Sequence, residues 1–344
     1  MSNVSLTLAS AVNERTRPVL DGTVKIEGVD LISMVSDPSE TFWRQLRFGD
    51  FDIAEMSLSS YLIARSQGAD MIALPVFPSR RLFHTEIDCH GSAGIDGPTD
   101  LAGKRLGVGD YQQTAALWTR GVLQHDFGVH ASEIEWFMER PDGLSHGGAT
   151  AFEPPAGVTV HQVPSGKSLA SMLVAGDLDA AFVRRARAKH RFHMIERSSR
   201  TPVEGDWSAI HPLFKDNVAE GRRFFNERGY LPINHTYVIR GDVNRKHPWL
   251  AFNAYKAFAE AKAHAEARMV DSIPLSLVFR YDYLEMTQEI FGPDPFPYGI
   301  PGNRKVLQTL VDYSHEQGLI DSPLEIDDLF AASTLDLGSD EEQP

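Results

Sequence analysis

The feature that most constrains this chain is the order in which short apolar runs and longer amphipathic segments follow one another. Runs rich in aliphatic and β-branched residues (Val4–Ala9, Val29–Val35, FDIAEM, MIALPVF) alternate with helix-period segments at Ser39–Phe48 and SLSSYLIARSQG. After the turn-rich stretch GSAGIDGPTDLAGK the alternation restarts with RLGVG, YQQTAALWTRGVLQHDFG, EIEWFME, VTVHQV, SLASMLVAGD and LDAAFV, broken only by a polar loop, Pro141 to Gly157. Strands that alternate with helices predict a largely parallel sheet with helices packed on it. One such β-loop-α block starts at Val4 and a second at Arg105. A late strand, INHTYVIRGDV, and a long helix from Pro248 to about Met269 follow. The expectation is an α/β protein of two lobes joined by two crossings. The expected division is residues 1–100 and 241–344 for lobe 1 and 101–240 for lobe 2, with a disordered acidic tail at 336–344.

In α/β lobes, ligands sit at the carboxyl ends of strands, where loops meet helix N-termini. A cleft is therefore expected between the loop after Ala9, the Glu55–Ser60 loop, the Asp110–Thr114 turn and the loop after Val183, with His84 and His235 on the two crossings. Charge narrows what it can hold. With 33 Lys and Arg against 47 Asp and Glu, the net charge of −14 argues against nucleic acid as a partner, while local arginines still allow a small anion. The single cysteine, Cys89, excludes an intramolecular disulfide and a cysteine-cluster zinc site. No apolar run approaches the roughly 18 residues of a membrane span. The start, MSNVSLTLAS, lacks the basic and apolar regions of a secretory signal, so a cytoplasmic location is expected.

Several stretches bear on chemistry, each with a plainer alternative. Read as a strand, RRLFHTEIDCH puts His84, Glu86, Asp88 and His90 on one face, as a metal site, an acid/base cluster or a solvated edge. HRFH at 190–193 is either a ligand pair or a basic solvated helix face. Nucleotide-binding and metalloprotease motifs are absent, and GVGDYQ lacks a third glycine. In GDYQQTAALW, a helix starting near Gln112 would aim free N–H groups at the cleft beside Tyr111, Gln112 and Thr114, for an anion or as ordinary capping. SLSSY offers three hydroxyls where capping needs one. Arginines recur in pairs at strand ends (Arg15 and Arg17, Arg80 and Arg81, Arg184 and Arg185). Singly each is a surface charge; together they point to a carboxylate-bearing ligand.

The runs NERTRPVLDGTV, ETFWRQLRFGDFDIAEMSLSSY, PVFPSRRLFH, LAGKRLGVGDYQQTAALWTRG, INHTYVIR, HPWLAFNAYKAFAEAK and PYGIPGNRKVLQTLVDYSHEQGL resemble, in order and over nearly the whole chain, the 4,5-dihydroxyphthalate decarboxylase family. The resemblance implies a type II periplasmic-binding-protein-like fold serving a cytoplasmic enzyme, which removes CO2 non-oxidatively from a small dihydroxylated aromatic carboxylate. It implies no organic cofactor; no metal-ligating residues are assigned, and whether a metal ion is required stays open. On this reading His84 and His235 share the acid and base roles, and Glu55 orients one of them or is itself the acid. Arg15, Arg80 and Arg185 hold carboxylate; Ser59, Ser60, Gln112 and Thr114 hold hydroxyls; Tyr111 and Tyr298 complete the pocket. The chain departs from the family pattern at Asn13-Glu14 (Tyr-Asp), Arg184 (Pro) and Phe296 (Trp). It also departs at Glu86, Asp88 and His90 (Ser, Tyr and Asn), which disfavours a four-residue metal site. The rival readings are an importer's solute-binding protein and another cytoplasmic enzyme on the same scaffold; homo-oligomerisation stays open.

Overall fold

A computed structural model describes residues 3–183, 197–200, 203–274 and 276–338. Five strands, β1 (Val4–Ser10), β2 (Val29–Val35), β3 (Ile53–Ser57), β4 (Met71–Leu74) and β11 (His235–Arg240), form one sheet in the order β2-β1-β3-β11-β4. Six strands form the other: β5 (Asp88–His90), β6 (Arg105–Val108), β7 (Glu135–Met138), β8 (Thr159–Gln162), β9 (Ala180–Ala181) and β10 (Ile210–Pro212), in the order β10-β5-β9-β6-β7-β8. The central pairings β1–β2, β1–β3, β6–β7, β6–β9 and β7–β8 are parallel. β11 runs antiparallel between β3 and β4, and β5 antiparallel between β9 and β10. Each sheet thus ends up with one strand delivered from the far side of the chain, as two crossings require.

Both crossings fall earlier than the expected limits of 100 and 241. β5 at Asp88 already belongs to the second sheet, and β11 at His235 is back in the first. The sequence blurs these borders because β5 has only three residues and β11 runs straight into the helical turn Gly241–Lys246.

The helices that matter for the site are α1 (Pro38–Phe48), α2 (Leu58–Ser66), α3 (Thr114–Phe127), α4 (Asn217–Arg228), α5 (Leu250–Ala267) and α6 (Arg304–Glu316). α1 starts where the Asp37 carboxylate accepts from Ser39 N at 2.9 Å and Pro38 fixes the first turn. It stops at Gly49, whose φ of 63° closes the last turn. Lobe 1 buries a large core around Leu8, Ile53, Phe77, Tyr237 and Phe258; lobe 2 packs Leu106, Trp136, Cys89 and Ala180. Burial, then Asp88, pushes the Cys89 thiol up to about 12. No helix among the described residues is long and apolar enough to cross a membrane.

Candidate active site

The two lobes leave a cavity of about 360 Å³ between them, within the size range that holds small organic ligands. Its floor is built by sheet register. β11 pairs with β3 so that His235 faces Ser57 and Tyr237 faces Glu55. Alternation then puts Glu55 and His235 on one face as diagonal neighbours. His235 Nδ1 lies 2.6 Å from Glu55 Oε1. The other carboxylate oxygen accepts from Ala11 N at 2.8 Å and Ser10 Oγ at 3.1 Å. Glu55 is 3% exposed. With every contact accepting, it is an acceptor that holds Nδ1–H and leaves His235 Nε2 for the cavity. Phe42 from α1 packs edge-on against the His235 ring at 4.7 Å and against His146 at 5.6 Å.

Cations ring this floor. Arg15 reaches Pro78 O at 2.9 Å and Glu14 at 2.5 Å, and its guanidinium lies 4.0 Å from the Phe296 ring centre. Arg80, 4% exposed, donates to Leu231 O, Pro297 O and Asn303 Oδ1, none of them a carboxylate, and burial pushes it down to about 9. From lobe 2, Arg140 lines the cavity at the end of β7. Its Nη2 donates to Ser39 Oγ at 3.1 Å, while Nη1 is 3.3 Å from His146 Nε2 and 3.8 Å from Asp110 Oδ2.

Of the residues expected at the site, His235, Glu55, Arg15, Arg80 and Thr114 line this cavity. Others do not. His84 sits on a 3-10 turn, Phe83–Glu86, and is 1% exposed; its Nε2 is 2.7 Å from Glu220 on α4, with Phe214 and Phe224 against the ring. His84 is thus not among the residues that line the cavity. The same turn breaks the supposed ribbon. Only Asp88 and His90 lie on a strand, and no group of three or more His, Cys, Asp or Glu able to hold a metal occurs among the described residues.

Ser59, Ser60, Tyr111 and Gln112 are also buried behind the cavity wall. Ser59 donates to Gln112 O at 2.6 Å, and Thr114 Oγ1 accepts from Ser59 N and bonds Ser57 Oγ at 2.8 Å. Gln112 donates to Ser60 Oγ at 3.2 Å. The hydroxyls of SLSSY tie α2 to the start of α3, and Ser57 among them also lines the cavity. Tyr111 stacks on Arg120, 3.8 Å from its ring centre. Tyr298 is 6% exposed and held above its usual ionisation range, chiefly by burial. Arg185 and the HRFH motif lie outside the described residues.

Sequence reasoning missed Ser39, Arg140 and His146, and saw Phe42 only as part of an apolar stripe. Arg140 carried a usable signal, since it follows a parallel strand at its carboxyl end. His146 did not: it sits in a short helical turn, His146–Thr150, inside the stretch expected to be a loop.

A cleft between two α/β lobes, each completed by a strand from a crossing, defines a protein of the type II periplasmic-binding-protein-like class. The periplasmic aliphatic sulphonate binding protein SsuA of Escherichia coli shares the fold over 95% of this chain and 91% of its own, with a TM-score of 0.52 at 14% identity. No protein-family model matches the chain. Curated relatives are more specific. The 4,5-dihydroxyphthalate decarboxylase of Comamonas testosteroni is 33% identical over 339 residues, spanning 98% of this chain and 99% of the relative. That of Pseudomonas putida is 41% identical over 187 residues, 54% of this chain and 72% of the relative. The chain belongs to the 4,5-dihydroxyphthalate decarboxylase family.

Proposed function

We propose that this chain decarboxylates 4,5-dihydroxyphthalate to 3,4-dihydroxybenzoate and CO2. The observation that supports this most is the His235–Glu55 pair, open to a cation-lined cleft in a member of that family. Direct loss of CO2 would leave an aryl carbanion. The easier route protonates the ring carbon that bears the carboxylate, helped by the phenol para to it. His235, protonated, gives its Nε2 proton to that carbon; the C–CO2 bond then breaks, its electron pair returns to the ring, and solvent reprotonates the imidazole. Glu55, bonded at Nδ1, fixes the ring so that Nε2 meets the substrate. Arg15 and Arg80 hold the carboxylates, and the face of Phe42 packs on the substrate ring. A solute-binding protein would share the fold without needing the His–Glu pair.

The test is incubation of purified protein with 4,5-dihydroxyphthalate, with and without chelator. Expected are equimolar 3,4-dihydroxybenzoate and CO2 and unchanged turnover after chelation; absence of turnover would overturn the reading. The same reading places the enzyme in the cytoplasm, which fractionation of producing cells tests.

A further inference from the structure

Behind the His235–Glu55 pair stand two hydroxyls that the proton transfer above does not use. Three neighbouring strands of the first sheet, β1, β3 and β11, bring them there. The parallel register Ala9↔Ala54 leads Ser10 to the side of Glu55, and the antiparallel register sets Tyr237 opposite Glu55. Tyr237 and His235 are two apart on β11 and so share a face. Tyr237 Oη lies 2.6 Å from Ser10 Oγ, and Ser10 Oγ lies 3.1 Å from Glu55 Oε2. A continuous path therefore runs from Tyr237 through Ser10 and Glu55 to His235 Nδ1, 2.6 Å from Glu55 Oε1.

The path has one direction. The Ser10 hydroxyl has two acceptors for its single proton, Glu55 Oε2 and Ala11 O at 2.9 Å. Toward Tyr237 the Ser10 oxygen is therefore left to accept, and the phenol donates. Burial, then the charge of Glu55, holds that phenol above its usual ionisation range, so its proton is there to give. Ser10 and Tyr237 are fully buried, and the Tyr237 ring stacks on Phe258 at 4.3 Å. Solvent does not compete for either hydroxyl.

Resting on the decarboxylase reading, we propose that Ser10 and Tyr237 are positioning residues, which together lock the Glu55 carboxylate in the orientation that keeps the His235 ring proton on Nδ1 and turns Nε2 to the substrate. Neither residue lines the cavity, so both act through Glu55. The last torsion of a glutamate is broad and weakly held by its own chemistry. Without Ser10, only the Ala11 N–H would hold Oε2, and the carboxylate could turn and carry the imidazole with it. Tyr237 in turn fixes the Ser10 rotor, its one hydrogen-bond partner among the described residues.

Two measurements test this, one of them independent of turnover. In ring 15N spectra of the ligand-free protein, at a pH where the imidazole is neutral, the His235 signal is assigned by its loss in His235→Gln. Wild type is expected to carry the proton on Nδ1, and Tyr237→Phe and Ser10→Ala to spread it over both nitrogens. In turnover of 4,5-dihydroxyphthalate, Tyr237→Phe is expected to lower kcat about tenfold with KM unchanged, as slight misplacement of a reacting group does. Because the phenol acts through Ser10, adding Tyr237→Phe to Ser10→Ala is expected to cost no further kcat, whereas a packing role would cost the same in both backgrounds. If the unpaired phenol keeps Ser10→Ala from folding, the spectra and kcat of Tyr237→Phe, which leaves no donor unpaired, decide alone. A wild-type proton on Nε2, an unchanged tautomer or wild-type kcat in Tyr237→Phe, or an equal kcat loss in both backgrounds would each overturn the proposal. Wild type that shows the Nδ1 tautomer, lost in Tyr237→Phe, yet does not turn over 4,5-dihydroxyphthalate would overturn the decarboxylase reading and leave the lock on Glu55 standing.

Discussion

Two histidines with similar sequence credentials have opposite environments. His84 and His235 both flank a crossing, yet His235 pairs with Glu55 at the cavity and His84 pairs with Glu220 inside the protein. Glu55→Gln replaces the acceptor that holds Nδ1–H and should lower kcat by about 10²-fold or more with little change in KM, read from steady-state rates. His84→Ala leaves Glu220 short of one buried partner and should cost about 3 kcal/mol of unfolding free energy in urea titrations. Burial alone would raise the Glu220 carboxyl, but hydrogen bonds from Arg223 and His84 outweigh it and hold the group below its usual 4.5. A depressed carboxyl stabilises the fold fully above the unfolded value and loses that contribution as pH falls through the folded one. Stability should therefore decline below about pH 4.5, and Glu220→Gln should flatten that decline. Sequence could nominate both histidines but not separate them. The partner of His84 lies 136 residues away and that of His235 lies 180 away, and only the fold decides which pair meets the cavity.

The longer elements were legible because their periodicity extends over many residues: β2 spans the expected Val29–Val35, and α1 starts one residue before the expected Ser39. Short elements were not. The 3-10 turn at Phe83–Glu86 has four residues, too few for any period to register, so a ribbon was expected where the backbone coils. Helix packing likewise overrides local preference at Gly121, mid-way along α3. A methyl there would overlap the Tyr313 ring of α6. Gly121→Ala gains roughly 1 kcal/mol of helix propensity, yet should lower stability by about 1–3 kcal/mol, since the ring cannot retreat from a packed interface. Thermal unfolding of the variant checks the sign.

At the scale of the molecule, the cleft exists only because both lobes contribute to it: His235, Glu55 and Arg15 from one, Arg140 and His146 from the other. The two-lobe plan could be read from the doubled β-loop-α order. The cross-lobe contacts could not, since Arg140 meets Ser39 across 101 residues with no motif to mark the meeting. A ligand bridging the lobes should stabilise the whole chain. Phthalate at a hundred times its Kd should add about 2.7 kcal/mol to unfolding, and calorimetric melting with and without it measures this. The central claim, that catalysis runs through His235 in this cleft and not through His84, is tested most directly by turnover of 4,5-dihydroxyphthalate by His235→Ala and His84→Ala, each normalised to its folded fraction. The account predicts a loss of at least about 10²-fold for His235→Ala and near wild-type turnover for folded His84→Ala. Full turnover by His235→Ala, or its loss in folded His84→Ala, would contradict it.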